Sequence, residues 1–420
     1  MKICIKDATI LDTSSPFHGQ KLNLFIEKGI ITDIGSHHPD SGYEIIESPS
    51  LFVSPGWFDL NAGFCDPGYE QKENLSSGAH AAVAGGFSGV ALQPSTPPII
   101  DNKSLVEYIA SWTGDLPLSL YPIGAITTGF NQKDLSEMMD MAMAGAIAFS
   151  NGHHPTEDSG VLLRALQYVK SWEGLIMNLP EDRDIAGFGQ MNDGSLSTKL
   201  GLSGRPSLAE EMMVWRDITL TDYSESRLHF SQISSADAVT HLHRNTNPRI
   251  TASVTPFHLT FTEEDCRSFD TNYKTHLPLH TKKDQDALWQ GLMDGSIEAI
   301  CSGQQPQDQE AKNGEFDEAA TGMNLIEIVF PLLHTHTGAS IPAKYWAKWL
   351  SANPSKIAGK PLNPITKNLP AHLTLFDTQI QWEFKRENMM SHSQNCPIDR
   401  ALFSGKVIGV VQDAKAAFFI

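Results

Sequence analysis

Short runs of alternating hydrophobic and polar residues mark both ends of the chain. Residues 22–35, LNLFIEKGIITDIG, predict two strands that meet at the turn residues Lys28 and Gly29. Near the other end, residues 373–384 and 401–420 are again rich in β-branched and aromatic residues bounded by turn signals. Both ends of the chain are therefore predicted to be β-structure.

Between these ends, short apolar runs alternate with longer segments of helical character. The strand-like runs are GVALQPS, AIAFSN, LIMNLP, RLHFSQIS, ITASVTP and EAICSG, and two of the helical segments are DLSEMMDMAMAG and KKDQDALWQGLMDG. This alternation predicts a parallel sheet, and the number of units favours a closed (β/α)8 barrel over the alternative, an open doubly wound sheet. No phosphate-binding G-x-G-x-x-G follows the first strand, and the Gly85-Gly86 pair is predicted to end a helix, so nothing here indicates a nucleotide site.

Composition narrows the functional classes. The 420 residues are 40% hydrophobic and carry a net charge of −18, which opposes binding to nucleic acid or to an anionic membrane. No apolar run is long enough to span a bilayer, and the first segment lacks the features of a signal peptide, so we expect a cytoplasmic protein. The five cysteines form no C-x-x-C pair and are predicted to be reduced and structural.

Residues 54–102 contain the strongest motif of the chain. The segment SPGWFDLNAGFCDPGYEQKENLSSGAHAAVAGGFSGVALQPSTPPIIDN resembles the dihydroorotase pattern PGfiDlHvHlRePG-e-KE…AAaaGGfT-v-mPNt-PviDn, and similar stretches recur along most of the chain. The protein is thus identified as a dihydroorotase-like member of the amidohydrolase superfamily. The resemblance implies an amidohydrolase-type (β/α)8 barrel over residues 55–355 and a small β-sandwich built from residues 1–54 and 356–420. It also implies a homodimer.

The resemblance breaks at the metal site. Dihydroorotases use a divalent metal, usually zinc, that converts water to hydroxide and polarises the amide carbonyl of the ring. Imidazole and carboxylate ligands are needed, but the six corresponding positions here, called the metal-site positions below, are Asn61, Gly63, Asn151, Leu179, Gln232 and Gly303. We therefore predict that the chain binds no metal cofactor and has no catalytic residues.

The positions that bind substrate in the family have changed as well. They are Cys65, Ser95, His276, His280 and Gln307, where the family has the arginine after H-x-H, the asparagine of PNT, the asparagine and arginine of N-P-P-L-R and the final histidine of D-H-A-P-H. The barrel frame is retained while the strand ends differ. If the metal alone were lost, the family's two aspartates would remain as uncompensated charges in a dry pocket, which is destabilising. Loss of the metal together with its carboxylate ligands avoids that cost.

Other residues offer alternative chemistry, each with a structural interpretation beside it. The charged loop of Asp66, Glu70, Lys72 and Glu73 is expected to be structural rather than an acid–base site. A rearranged metal site is a hypothesis for His153, His154, His258, His276 and His280, and a thiol nucleophile for Cys65 or Cys301. Glu181 and Asp182 are predicted to start a helix, and packing roles are predicted for Met139, Met141, Met143 and Trp289.

The resemblance leads to one main functional hypothesis. Inactive dihydroorotase-like chains in some bacteria are partners of aspartate carbamoyltransferase, so we expect a non-catalytic assembly or regulatory subunit of pyrimidine biosynthesis. The alternatives are an active cyclic-amide hydrolase with a rearranged site and a small-ligand sensor that keeps the pocket without turnover.

Overall fold

A computed structural model of the protein describes residues 1–419. Its strands are β1 (Lys2–Ile10), β2 (Lys21–Glu27), β3 (Ile30–Gly35), β4 (Glu44–Ile46), β5 (Leu51–Pro55), β6 (Trp57–Ala62), β7 (Phe87–Leu92), β8 (Ser119–Gly124), β9 (Ala148–Phe149), β10 (Leu175–Asn178), β11 (Met191–Asn192), β12 (Gly204–Arg205), β13 (Arg227–Phe230), β14 (Ile250–Val254), β15 (Ala299–Ile300), β16 (His372–Phe384), β17 (Ala401–Gln412) and β18 (Lys415–Phe418).

The α-helices are α1 (Leu75–Ala84), α2 (Lys103–Ala110), α3 (Met138–Ala144), α4 (Ser159–Val169), α5 (Arg183–Ala186), α6 (Ser195–Leu200), α7 (Leu208–Ser224), α8 (Ala236–Arg244), α9 (Pro256–Thr260), α10 (Lys282–Asp294), α11 (Gln309–Lys312), α12 (Val329–His336), α13 (Ala343–Ala347) and α14 (Asn353–Ile357). A π-helical turn, Lys348–Ala352, joins the last two. None of the helices formed by residues 1–419 has the length and apolar character needed to cross a membrane.

Eight parallel strands form the barrel. Their order is β6, β7, β8, β9, β10, β13, β14 and β15. The first and last strands meet just beyond β15, where Ala62 forms a parallel bridge with Gln304 and the Gly63 amide donates to the Gln304 carbonyl at 2.8 Å. This closure confirms the predicted (β/α)8 barrel and excludes the open sheet. In such barrels the carboxyl ends of the strands build the functional face, called the barrel mouth below.

Strands from both ends of the chain form a second sheet. Its order is β18, β17, β16, β5, β1, β2 and β3, with β4 paired to β1. The predicted hairpin at Lys28 and Gly29 is confirmed between β2 and β3. The edge strand β3 also bonds to residues 368–370, which lead into β16, so the sheet curls over its own apolar core. The division at residues 54 and 355 stays our proposal for where the two units meet.

Packing confirms one predicted apolar position on α3 and contradicts another. Met141 is buried in the barrel core, whereas the side chain of Met143 is 81% exposed, so its predicted packing role is wrong. Helix α3 is also shorter than the predicted segment 134–145, because Leu135 pairs with Thr127 in an isolated β-bridge. The helix therefore begins only at Met138. Met143 comes two residues after the buried Met141, about 200° around the helix, so it faces solvent.

Candidate functional site

All six metal-site positions lie at the barrel mouth. Asn61 is the second-last residue of β6, and Gly63 is the first residue after that strand. The other four positions come directly or shortly after β9, β10, β13 and β15. The side chains of Asn61, Asn151, Leu179 and Gln232 are buried. The fold thus brings these positions to one end of the barrel, and their side chains contribute to packing there.

Gly303 is the position where a metal-binding carboxylate has least room. Its backbone has φ +60°, a conformation that residues other than glycine rarely adopt. A β-carbon built there would lie 2.7 Å from Thr255 Cγ2 and 2.9 Å from Phe257 Cε1, and both of those side chains are buried. The space that an aspartate would need is filled by an aromatic ring and a methyl group.

Asn151 has a structural role in the backbone after β8. Its Oδ1 accepts hydrogen bonds from the amides of Ile126 and Thr127, both at 3.1 Å, and its Nδ2 donates to Thr127 Oγ1 at 3.2 Å. The neutral amide supplies both the acceptor and the donor that this buried site uses. A carboxylate at this position would accept the same two amide bonds but could not donate the third.

Asp59 was not singled out from the sequence, yet it holds the first strand of the barrel to the last. Its Oδ1 accepts from the amides of Asn61 at 3.1 Å and of Ser302 at 2.9 Å. The residue is fully buried, and burial raises the pKa of its carboxyl group. Its role is to close the barrel beneath the mouth.

The residues at the mouth do not fit a zinc centre. Asparagine is a poor zinc ligand, and glycine and leucine offer no ligand atom. Among residues 1–419, no group of three or more histidine, cysteine, aspartate or glutamate side chains is arranged to hold a metal ion. Both ring nitrogens of His258, one of the histidines of the hypothetical rearranged metal site, are engaged within the fold: Nδ1 lies 2.8 Å from Thr255 Oγ1, and Nε2 lies 3.2 Å from the Leu277 carbonyl oxygen.

A buried polar network spans the rim of the mouth. Ser234 Oγ lies 2.5 Å from Glu210 Oε2 and 3.1 Å from His280 Nε2. His280 Nδ1 lies 2.8 Å from Asn192 Oδ1, and Asn192 Nδ2 donates to Glu263 Oε2 at 2.6 Å. The last contact fixes the amide orientation, so His280 donates through Nδ1 and accepts through Nε2.

Electrostatics agree with that assignment. Burial raises the pKa of Glu210 to about 7 and lowers the pKa of His280 to about 4. While Glu210 is ionised, Ser234 Oγ donates to its Oε2, and once Glu210 is protonated it can donate to Ser234 Oγ, which frees the serine proton for the neutral imidazole. The order resembles a nucleophile, base and orienting group. However, the adjoining cavity measures about 10 Å³, which is room for a single water molecule and not for a substrate.

A second buried cluster lies beside the network. Glu181 pairs with Arg205 at 2.9 Å, and Arg205 donates to the His276 carbonyl. The rings of His276 and His153 pack with their centroids 5.2 Å apart. Asp182 caps α5, as the predicted helix start requires, but Glu181 belongs to this ion pair instead. The sequence interpretation of the two acids as one helix-start pair is therefore half wrong.

The charged loop after β6 is tied down by hydrogen bonds. Asp66 accepts from the Leu75 amide and the Tyr108 hydroxyl. Glu70 accepts from the Gly68 amide, and Glu73 accepts from Ser77 and Ser391. Lys72 donates to Oε1 of Gln307 at 2.8 Å. Gln307 occupies one of the positions that bind substrate in the family. These contacts agree with the structural role expected for the loop.

The two rim cysteines do not suit a thiol nucleophile. Burial raises the pKa of both Cys65 and Cys301 to about 12, so both thiols are protonated at neutral pH. Cys301 is fully buried and donates to the Ser231 carbonyl at 3.4 Å. Ser95, in contrast, keeps a hydroxyl without a hydrogen-bond partner among the described residues, beside Gly152.

Comparison with known proteins places the chain. The fold is that of the amidohydrolase-type barrels: it matches L-hydantoinase (dihydropyrimidinase) from Arthrobacter aurescens with a TM-score of 0.84 at 16% identity, over 100% of this chain and 97% of that one. Dihydropyrimidinase from Brevibacillus agri matches with a TM-score of 0.83 at 18% identity, over 100% of this chain and 95% of that one.

Sequence relatives are more specific. A family model described as dihydro-orotase-like matches residues 51–238. The dihydroorotase of Ruminiclostridium cellulolyticum is 35% identical over 97% of this chain and 96% of its own length. The dihydroorotase of Syntrophotalea carbinolica is 34% identical over 100% of this chain and 99% of its own length. The chain belongs to the dihydroorotase family.

Proposed function

We propose that this dihydroorotase homologue of pyrimidine biosynthesis is catalytically inactive. The observation that carries the proposal is the packing of Phe257 and Thr255 into the space where Gly303 would need a carboxylate side chain. The buried hydrogen bonds of the Asn151 side chain support the proposal, because they use both the acceptor and the donor of a neutral amide, which a metal-binding carboxylate could not supply. Without a metal-activated water or a general base, most of the rate enhancement of the family is lost.

A direct assay tests this proposal. The purified chain, produced in a host whose own dihydroorotase gene has been deleted, should neither hydrolyse dihydroorotate nor cyclise carbamoyl aspartate above the buffer rate. A metal-dependent rate that survives this deletion would favour the alternative, an active cyclic-amide hydrolase with a rearranged site.

We further propose that the chain acts as an assembly or regulatory subunit of aspartate carbamoyltransferase. The retained barrel frame supports this role, because a scaffold needs a stable surface and not a reactive pocket. The net charge of −18 favours a partner with a basic face and should speed association at low salt. A cytoplasmic location follows from the same proposal.

Co-elution with the same organism's aspartate carbamoyltransferase tests the partnership. At near-physiological salt the two proteins should elute as one complex, and Ser95→Ala in the mouth should leave that complex intact. Loss of association with rising salt, measured as a falling on-rate, is also expected. Absence of a complex at micromolar concentrations contradicts the proposal.

A small-ligand sensor is the second candidate, favoured by the Ser95 hydroxyl and Gln93 Oε1, which lack partners among the described residues. Such unpartnered groups could hold a small polar molecule at the mouth. Thermal melting with dihydroorotate or carbamoyl aspartate separates the two roles, because only a sensor is stabilised by its ligand. A ligand-dependent rise of the melting temperature that Ser95→Ala abolishes would favour the sensor.

A further inference from the structure

A polar cavity of about 500 Å³ lies beside the barrel mouth. One wall belongs to residues 386–400, the segment that joins β16 to β17, and the other belongs to residues 307–313 and the turn at residues 271–272. Every residue that lines the cavity has a polar side chain, and none is aromatic. The volume falls within the roughly 300–1,000 Å³ of small-molecule sites, so the lining suits a small and strongly polar ligand.

Arg386 and Arg400 line this cavity, which is called the arginine cavity below. Strand β16 ends two residues before Arg386, β17 begins at the residue after Arg400, and the two strands pair at these ends, so both arginines lie at the same end of one hairpin. Neither guanidinium group forms an ion pair or a hydrogen bond within residues 1–419. The chain has 49 acidic residues against 31 lysines and arginines, so a shortage of acids does not explain why these two are unpaired.

Most other charged groups of the arginine cavity are engaged within the fold. Lys312 is buried, and its Nζ donates to three backbone carbonyls. Asp308 accepts from a backbone amide of α11 at 2.8 Å, and Asp399 accepts from the Arg386 amide at 3.0 Å. Glu387 is exposed and has no such partner in the described part of the chain. The hydrogen-bonding capacity that remains is therefore mainly that of the two guanidinium groups, each with five N–H donors.

We propose that the arginine cavity binds a small oxyanion, a phosphate or a carboxylate group, between Arg386 and Arg400. The planar fork of a guanidinium group matches two oxygen atoms of either anion, and two forks on one hairpin hold a single anion from two sides. Gln309, Asn313 and Gln394 also line the cavity, and their side-chain amides have no hydrogen-bond partner among the described residues. These amides are free to bind the uncharged part of the ligand.

The arginine cavity is separate from the positions that bind substrate in the family. Only Gln307 belongs to both sets, and its side chain is engaged elsewhere: Oε1 accepts from Lys72, and Nε2 donates to the Thr321 carbonyl. Asn395 already joins the two walls, because its Oδ1 accepts from the Gln307 amide and its Nδ2 donates to the Gln305 carbonyl, both at 3.0 Å. A bound anion adds a second link across the same gap and should therefore stabilise the fold.

Thermal melting of the full chain tests the inference, which does not depend on the proposed function. At constant ionic strength, sodium phosphate or sodium succinate should raise the melting temperature, whereas sodium chloride should not. A rise with phosphate alone assigns a phosphate ligand, a rise with succinate alone assigns a carboxylate, and a rise with both supports a site for their shared chemistry. A melting temperature that neither anion raises overturns the proposal.

Arginine variants test where the anion binds. The double change Arg386→Gln and Arg400→Gln should raise the dissociation constant of the stabilising anion at least about tenfold, measured by isothermal titration calorimetry. Arg244→Gln is the matched control, because Arg244 also lacks an ion pair but lies at the end of α8. It should leave the dissociation constant unchanged. Affinity that survives the double change, or that falls equally in the control, overturns the proposal.

Hydrogen exchange on the unmodified chain gives a second readout that does not require the variants to fold. The stabilising anion, phosphate or succinate, should slow the exchange of backbone amides in residues 386–400 and 307–313, because it links the two walls of the arginine cavity. Slower exchange in these two segments supports the site. Slower exchange confined to other segments places the anion elsewhere and overturns the proposal.

Discussion

A β-carbon on Gly303 would lie 2.9 Å from Cε1 of Phe257, closer than packed side chains approach each other. The chain therefore cannot regain a carboxylate at this strand end without moving an aromatic ring of the core. This contact distinguishes a simple loss of ligands from a mouth that has been repacked around their absence.

Gly303→Ala should destabilise the protein by about 2–4 kcal/mol, because the left-handed backbone and the contact with Thr255 and Phe257 both oppose a side chain. Gly63→Ala is the matched control. That position has no positive φ, and its nearest contact to a new β-carbon is the Gln304 carbonyl at 3.2 Å, so the cost should stay below about 1 kcal/mol. Urea denaturation compares the two, and equal losses would contradict the repacked mouth.

Asn151→Asp should destabilise the protein at neutral pH by about 1–3 kcal/mol, because a buried carboxylate replaces an amide that donates to Thr127. If burial raises the folded-state pKa of the new carboxyl group above its unfolded value, protonation restores a neutral group and the deficit shrinks below about pH 5. Chemical denaturation of the parent and of Asn151→Asp at pH 5 and at pH 7.5 measures this deficit in the free energy of unfolding. A variant as stable as the parent at pH 7.5 would show that the site accepts charge.

Glu210→Gln should change how stability depends on pH. The folded-state pKa of Glu210, about 7, is raised above the unfolded value, so the carboxyl group stabilises the fold below about pH 4.5 and loses this contribution as pH rises through 7. Glutamine mimics the protonated acid towards Ser234 at every pH.

The difference in free energy of unfolding between Glu210→Gln and the parent should therefore grow in favour of the variant from pH 5 to pH 8, by up to about 3 kcal/mol. The histidines with lowered pKa values affect both proteins alike and cancel in this difference. A pH-independent difference would mean that Glu210 is already ionised in the network.

The barrel was predictable because alternating strands and helices are a local property of the sequence. The hairpin at Gly29 was predictable for the same reason. The filling of the mouth was not, because Phe257 and Gly303 are far apart in the chain and neither residue type signals the contact. The network of Asn192, Ser234 and His280 was also missed as a unit, since its members come from different loops. Met143 was misjudged because residues two apart on a helix, such as Met141 and Met143, face opposite sides and cannot both pack against one core.

The six-fold change Asn61→His, Gly63→His, Asn151→Asp, Leu179→His, Gln232→His and Gly303→Asp should restore little dihydroorotase activity. Ligands must be held to fractions of an ångström by their surroundings, and Phe257 stands where the aspartate at 303 would be. Steady-state assays with added zinc measure the gain. A rate within a few hundred-fold of an intact dihydroorotase would show that the mouth had stayed organised for catalysis.

Zinc stoichiometry of the untagged protein tests the central claim most directly. After incubation with excess zinc and removal of unbound metal, elemental analysis should find far less than one zinc per chain, because zinc sites use three or four protein ligands and the metal-site positions supply no histidine, cysteine or carboxylate. One zinc per chain that resists chelators and is lost on Gln232→Ala would place a metal at the barrel mouth and contradict this account.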